Sequence, residues 1–323
     1  MNIHDDLPHP VPAYAFLRYK ENYFFVLMAP EQKVFGVIHL NHEPGFDRAR
    51  YVANFDIGGR QFAYANVTPF PQKWDFERRI GDGRLNLHFA EPHKRFELSL
   101  DCDEIKADLV FTRRQDSFDF SACRTVGNPA PTFLEINTLG MNLPYNHHQQ
   151  ALNSSGTIRL PGEDPIVIDG VGYRDHSWVM RGDSTITNHL WCGFNFPEIS
   201  FGAKLNATVS RPDDPAKEAY AADADGARAI RKFEVRTEGA LSEDGLPEKV
   251  IHTLTDVFDR TYTIESRVHE RYGHVPLVAE ASGHRPAYHI VENLCPIRLL
   301  ETGAEGVGLV EIGRNAMIGG PYL

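Results

Sequence analysis

Most of the chain alternates apolar and polar residues with a period of two. Phe96, Leu98, Leu100 and Cys102 alternate with Glu97, Ser99 and Asp101, and Ile105, Ala107, Leu109 and Phe111 with Lys106, Asp108 and Val110. Ile199 to Val209 repeats the pattern, and Tyr262, Ile264 and Val268 carry it beyond residue 260. Such alternation predicts strands with one face on a core and one on a polar environment. The turns agree: Gly58-Gly59, Asp82-Gly83 and Asp244-Gly245 each separate strand-like runs, as hairpin connections do. Amphipathic helices are few. Pro215 to Ile230 contains helix formers but is polar and small, and reads as a surface excursion between strands. The pattern predicts an all-β, antiparallel fold built as sandwiches or barrels.

Three turn-rich clusters offer boundaries: Val126–Pro131, Asn153–Gly156 and Pro161–Pro165. A chain of 323 residues suits two domains of roughly 150 each. We place the division near residue 160, giving units 1–160 and 161–323, each with strands for one barrel-like body.

Composition narrows the function. Apolar residues make up 42%, enough for a sizeable core, yet no uninterrupted apolar run of ~20 residues would insert into a membrane. Met1 to Pro12 lacks the basic-then-apolar pattern of a signal peptide, so a cytoplasmic location is expected. A net charge of -11 argues against nucleic acid as a partner, which needs concentrated Lys and Arg. Cys102, Cys123, Cys192 and Cys295 form no CxxC pair and are expected as free thiols. No GxGxxG, GxxxxGK[ST] or GxSxG occurs, so no nucleotide cofactor and no serine nucleophile is expected. His39 with His42, and His147 with His148, lack the converging partners of a metal site, and none is expected.

One stretch concentrates chemistry. Gly170-Val171-Gly172-Tyr173-Arg174-Asp175-His176-Ser177-Trp178 is followed by Arg181 and Trp191. On a straight strand Tyr173, Asp175 and Ser177 share one face, and Arg174, His176 and Trp178 the other. Asp175 and His176 therefore do not share one cavity unless the backbone bulges. Asp and His beside aromatic rings can move protons near neutral pH, and the rings can stabilise a developing cation. The competing reading is a buried polar network in which Arg174 or Arg181 pairs with Asp175 and locks domains together. Glu292 and Glu311 each place an acid in an apolar strand. There burial would raise the pKa, or Arg298 or Arg314 would serve as partner.

The stretch from Gly170 to Trp178 resembles the G-x-G-x-R-D-H-S-W signature of the hydroxyneurosporene synthase / AttH-like lipocalin superfamily. Ser155-Gly156-Thr157-Ile158, Trp191, Val291-Glu292 and Gly306-x-Gly308-x-x-Glu311 fit the same branch. The resemblance implies two tandem lipocalin-like (calycin) β-barrels holding an apolar ligand within or between them. It also implies relatives that are carotenoid 1,2-hydratases, which need no redox cofactor, and more distant pericyclic cyclases. His176, Trp178 and Asp175 would match the motif residues of the hydratases, whereas Val179 stands where those enzymes carry Gly.

Two functions follow as expectations. The first is a cofactor-independent lyase, hydratase or isomerase acting on a hydrophobic terpenoid, steroid or aromatic molecule. In it Asp175, His176 and Tyr173 are the catalytic candidates, and Trp178, Trp191, Arg174, Arg181 and Glu292 line or orient the substrate. The second is a non-catalytic carrier of a hydrophobic ligand, with the motif as an interdomain clamp. Either allows a homodimer.

Overall fold

The computed structural model describes residues 2–125, 145–180, 186–208, 211–243, 245–277 and 288–315. In chain order the strands begin β1 (Tyr19–Ala29), β2 (Val34–Glu43), β3 (Arg48–Ile57), β4 (Arg60–Thr68) and β5 (Arg79–Gly81). They continue with β6 (Leu85–Glu91), β7 (Arg95–Asp101), β8 (Lys106–Arg113), β9 (Phe118–Asp119), β10 (Tyr145–Arg159) and β11 (Ile166–Met180). Then come β12 (Ile186–Asn195), β13 (Ser200–Thr208), β14 (Arg211–Asp223), β15 (Gly226–Leu241) and β16 (Pro247–Asp256). The last are β17 (Thr261–Arg267), β18 (Gly273–Leu277), β19 (Tyr288–Leu299) and β20 (Ala304–Asn315). The fold is all-β and lipocalin-like; one short helix, Ser121–Thr125, and a few 3₁₀ turns complete the described residues. None of their helices is long and apolar enough to cross a membrane.

The chain divides into two compact units. The first holds β1–β8, β10 and β11; the second holds β9, the short helix and β12–β20. In the first, one antiparallel sheet runs β4-β3-β2-β1-β11-β10-β8-β7-β6-β5 and curls around Phe25, Leu27, Phe55, Phe96 and Phe111. Its two end strands do not pair. Asp82, in the turn after β5, instead accepts hydrogen bonds from Tyr64 and Asn66 of β4. In the second unit a β17–β19 pairing closes eight strands into a barrel around Leu190, Phe194, Phe201, Leu254 and Ile312, and β18 is appended to β19.

Two expectations are corrected. The division lies near residue 181, not 160, and the motif strand belongs to the first unit. Pro161–Pro165 is the hairpin turn that folds β11 back along β10, from Ile158↔Ile166 to Tyr145↔Val179. A turn signal reports a chain reversal and does not say whether the reversal joins strands of one sheet or two bodies. Pro215–Ile230 is no excursion: it is the β14–β15 hairpin around Asp225-Gly226, and Ala219 to Ala222 lie fully buried. Small residues there suit close packing on both faces. Val126–Pro131 and Asp244 lie outside the described residues.

The motif glycines serve packing. A Cβ at Gly170 would stand 2.5 Å from the Met28 carbonyl oxygen, and one at Gly172 2.9 Å from that of Val26. The β1–β11 approach therefore requires their bare backbone. Gly170→Ala is expected to destabilise the first unit by about 1–3 kcal/mol, the scale of overpacking, measured as a lower denaturant midpoint.

Candidate functional site

Directly paired residues of antiparallel strands point to the same face. In β1 and β11 the pairs are Glu21↔Trp178, Tyr23↔His176 and Phe25↔Arg174, and β2 adds Glu21↔His42. These residues lie on the inner face of the curled sheet, with the core. Phe24↔Asp175 and Asn22↔Ser177 lie on the other.

Glu21 is the centre of the inner face. It is fully buried and accepts five donors: the His9 backbone N–H at 3.2 Å, His9 Nδ1 at 2.7 Å, Tyr19 hydroxyl at 3.0 Å, Tyr23 hydroxyl at 2.9 Å and His176 Nε2 at 3.0 Å. Burial pushes its pKa up, but the hydrogen bonds from His176 and His9 outweigh that and hold it down to about 2. A carboxylate can only accept, so His176 presents Nε2–H to it. Burial, opposed by Glu21, lowers His176 to about 4, so the ring is neutral at pH 7 and its Nδ1 keeps a lone pair. That Nδ1 is buried and has no hydrogen-bond partner. The His176 ring stacks on Tyr23 at 4.3 Å and lies 4.6 Å from Trp178, whose indole in turn stacks on His9 at 4.0 Å.

One register step along β11, Arg174 is almost wholly buried. It pairs with Asp6 at 2.6 Å, donates from Nε to Gln150 Oε1 at 2.8 Å and lies 4.5 Å over the Phe96 ring. Burial would raise Asp6, but Arg174, then His93 and His176, hold it below its ordinary value. Arg174 therefore does not pair with Asp175. Asp175, on the opposite face, bonds His147 and accepts from Gln149 Nε2 at 3.3 Å, while Tyr173 donates to Gln149 Oε1 at 3.3 Å. The structure thus brings together Arg174, His176 and Trp178, and separates them from Asp175 and Tyr173. Arg181 lies outside the described residues.

Trp191 and Glu292 belong to the second unit, on the outer face of its barrel. Glu311 pairs across strands with both, and it bonds His189. Glu292 is fully buried and neither of its oxygens has a donor. Burial, then the neighbouring Glu311, raises its pKa well above the ordinary value. Arg298, one of its two expected partners, is exposed and faces Glu305 instead.

Sequence reasoning missed Glu21, His9 and Asp6. Glu21 did leave a signal: Tyr19, Glu21, Tyr23 and Phe25 share one phase of β1, which sets an acid among inward aromatics. Both faces of β1 are buried, which hides the alternation. Among the described residues, His9, Glu21 and His176 bring three metal-ligand-type atoms within 4.8 Å of one another. The separations of 2.7 and 3.0 Å from Glu21 Oε1 are hydrogen-bond lengths, and two tyrosine hydroxyls crowd the same carboxylate. The donor set fits shared protons better than a bound ion.

Three solved structures share this architecture. An AttH protein of Nitrosomonas europaea superposes with a TM-score of 0.68 at 13% identity, covering 97% of this chain and 95% of that one. Kievitone hydratase of Nectria haematococca gives 0.63 at 12%, covering 95% and 97%. CghA gives 0.63 at 12%, covering 97% and 96%. At these identities the likeness is one of fold. No curated protein matches the sequence.

Two predictions follow from the charges. His42, His176 and His252 are all buried, and burial lowers them to about 3, 4 and 3. The unfolded chain takes up protons at these residues first as pH falls below about 6.5. Stability should therefore drop by about 1.4 kcal/mol per pH unit for each histidine down to its folded pKa, seen as a falling Tm between pH 7 and 4 that flattens in His42→Gln. Glu292 has the opposite sign. Its folded pKa is raised, so it lowers stability as pH rises above the ordinary carboxyl value of 4.5. Glu292→Gln should melt above the wild type at pH 8, with the difference closing at pH 4.

A single family model matches residues 2–316, nearly the whole sequence. The chain belongs to that family, described as Domain of unknown function (DUF7064).

Proposed function

We propose that the chain is a cofactor-independent acid/base enzyme, a lyase, hydratase or isomerase, acting on a hydrophobic small molecule held against the inner face of the first unit. The observation that carries the reading is His176 Nδ1: a basic nitrogen, buried, without a partner, on a ring whose other nitrogen is fixed by Glu21. An unsatisfied buried acceptor lowers stability and calls for a reason to be kept. A neutral imidazole can take a proton from water or from an acidified C–H. Glu21 would stabilise the resulting imidazolium and fix its orientation. Tyr23 and Trp178 line the apolar side, where their ring faces can stabilise positive charge. The likeness to kievitone hydratase makes addition of water to a double bond the first reaction to assay.

The rival reading is a non-catalytic carrier. It is favoured by the density of bonds on Glu21 and Arg174, which would hold the unit together without any chemistry. Mass spectrometry of molecules extracted from the purified protein supplies the substrate class. On that class, His176→Gln and Glu21→Gln are expected to stay folded and lose turnover by about 10²-fold or more, the scale of losing a general base. Unchanged ligand affinity with no turnover in the wild type would favour the carrier.

A further inference from the structure

The segment ahead of β1 covers the site without joining the sheet. Its ordered elements are two 3₁₀ turns, Ile3–Asp6 and Phe16–Arg18, and it makes no strand pairing. Side-chain and single backbone bonds hold it: Asp6 to Arg174 and to the His93 backbone N–H, the His93 ring to the Asn2 carbonyl at 2.8 Å, His9 to Glu21, the Trp74 indole to the His9 carbonyl at 3.1 Å, and Phe76 N–H to the Pro8 carbonyl at 2.7 Å. Leu7 reaches the core and His9 lies flat on Trp178. Beneath it sit His176 Nδ1 and Arg174 Nη2, both buried and both without hydrogen-bond partners. Just after it, Tyr14, Phe16 and Leu17 are exposed, as is Phe46 on the turn packed beside Phe16 and Leu17. This apolar collar stands at the end of the sheet where β1 begins and β2 ends.

We infer that residues 2–12 form a displaceable lid, and that Asp6 occupies on Arg174 the position of a substrate carboxylate, so that the ligand of this site is an apolar acid. A guanidinium held almost wholly buried against Phe96, with one fork arm on an acid and the other nitrogen unused, is built for a planar two-oxygen group. Asp6 comes from an unpaired segment and meets Arg174 with Oδ1 alone, in an ion pair without aligned hydrogen-bond geometry, while its Oδ2 accepts the His93 backbone N–H and the His93 ring lies 3.4 Å from Oδ1. A ligand carboxylate on Arg174 would displace Asp6, lift His9 off Trp178, and lay its apolar body along Trp178 and Tyr23 beside His176 Nδ1. The collar would receive the apolar part on entry.

The inference rests on the inner-face site proposed above, but its test does not use turnover, so the two can fail separately. Hydrogen exchange read by mass spectrometry on the full chain, with and without decanoate or decan-1-ol, follows the lid directly. Residues 2–12 are expected to exchange at least ten-fold faster in saturating decanoate, while β1 and β11 keep their protection, and decan-1-ol should leave the exchange unchanged. By calorimetry, Asp6→Asn is expected to bind decanoate at least ten-fold more tightly, and Arg174→Gln to lose it. The proposal is overturned if the segment and β11 exchange as one unit, if the alcohol acts like the acid, or if decanoate does not bind. Should either variant fail to fold, the wild-type exchange experiment decides alone.

Discussion

A single buried carboxylate sets the plan of the first unit. Removing an ionised group from water costs several kcal/mol even after the protein relaxes, and that cost is met only by good hydrogen bonds. Glu21 collects its five donors from three places: its own strand through Tyr19 and Tyr23, the motif strand through His176, and the segment ahead of β1 through His9. Loss of any one leaves a charge under-satisfied, a penalty larger than the worth of an ordinary hydrogen bond. The carboxylate therefore helps fix the β1–β11 register, the tautomer of His176 and the course of the covering segment at once.

The fold class was legible because most strands have one wet face. In β7 and β8 the alternation is visible residue by residue, and Asp82-Gly83 marks the β5–β6 hairpin. Legibility fails where burial is two-sided. β1 is covered along its whole length, and β14 reads as polar and small although its Ala219 to Ala222 are interior. The domain boundary failed for a different reason. A Pro/Gly cluster specifies a reversal, and only long-range pairing, here β11 with β1 some 150 residues earlier in sequence, decides which body a strand joins.

Half of the candidate site could be read and half could not. Strand parity alone placed Arg174, His176 and Trp178 on one face and Asp175 on the other. It could not say what faces them, because Asp6, His9 and Glu21 reach β11 only through tertiary structure. The reading that Arg174 would pair with Asp175 used sequence nearness as a proxy for contact. In a sheet, adjacent residues point apart, so nearness of that kind argues against contact.

Two buried glutamates show how environment assigns role. Glu21 and Glu292 are both fully removed from solvent, and burial pushes both pKa values upward. Around Glu21, hydrogen-bond donors and two histidines reverse the push, and the group stays a fixed negative charge at any physiological pH. Around Glu292 a second carboxyl, Glu311, lies directly across the strand pair, so burial and like charge act in the same direction and raise its pKa well above the ordinary value. The first cannot be the acid or the base of a reaction near neutral pH. In the proposed reaction it would orient and stabilise a neighbour that changes charge, His176, whose Nδ1 is buried without a hydrogen-bond partner. In the reaction we propose, the proton would therefore go to the histidine, with the acid that orients it standing one bond behind.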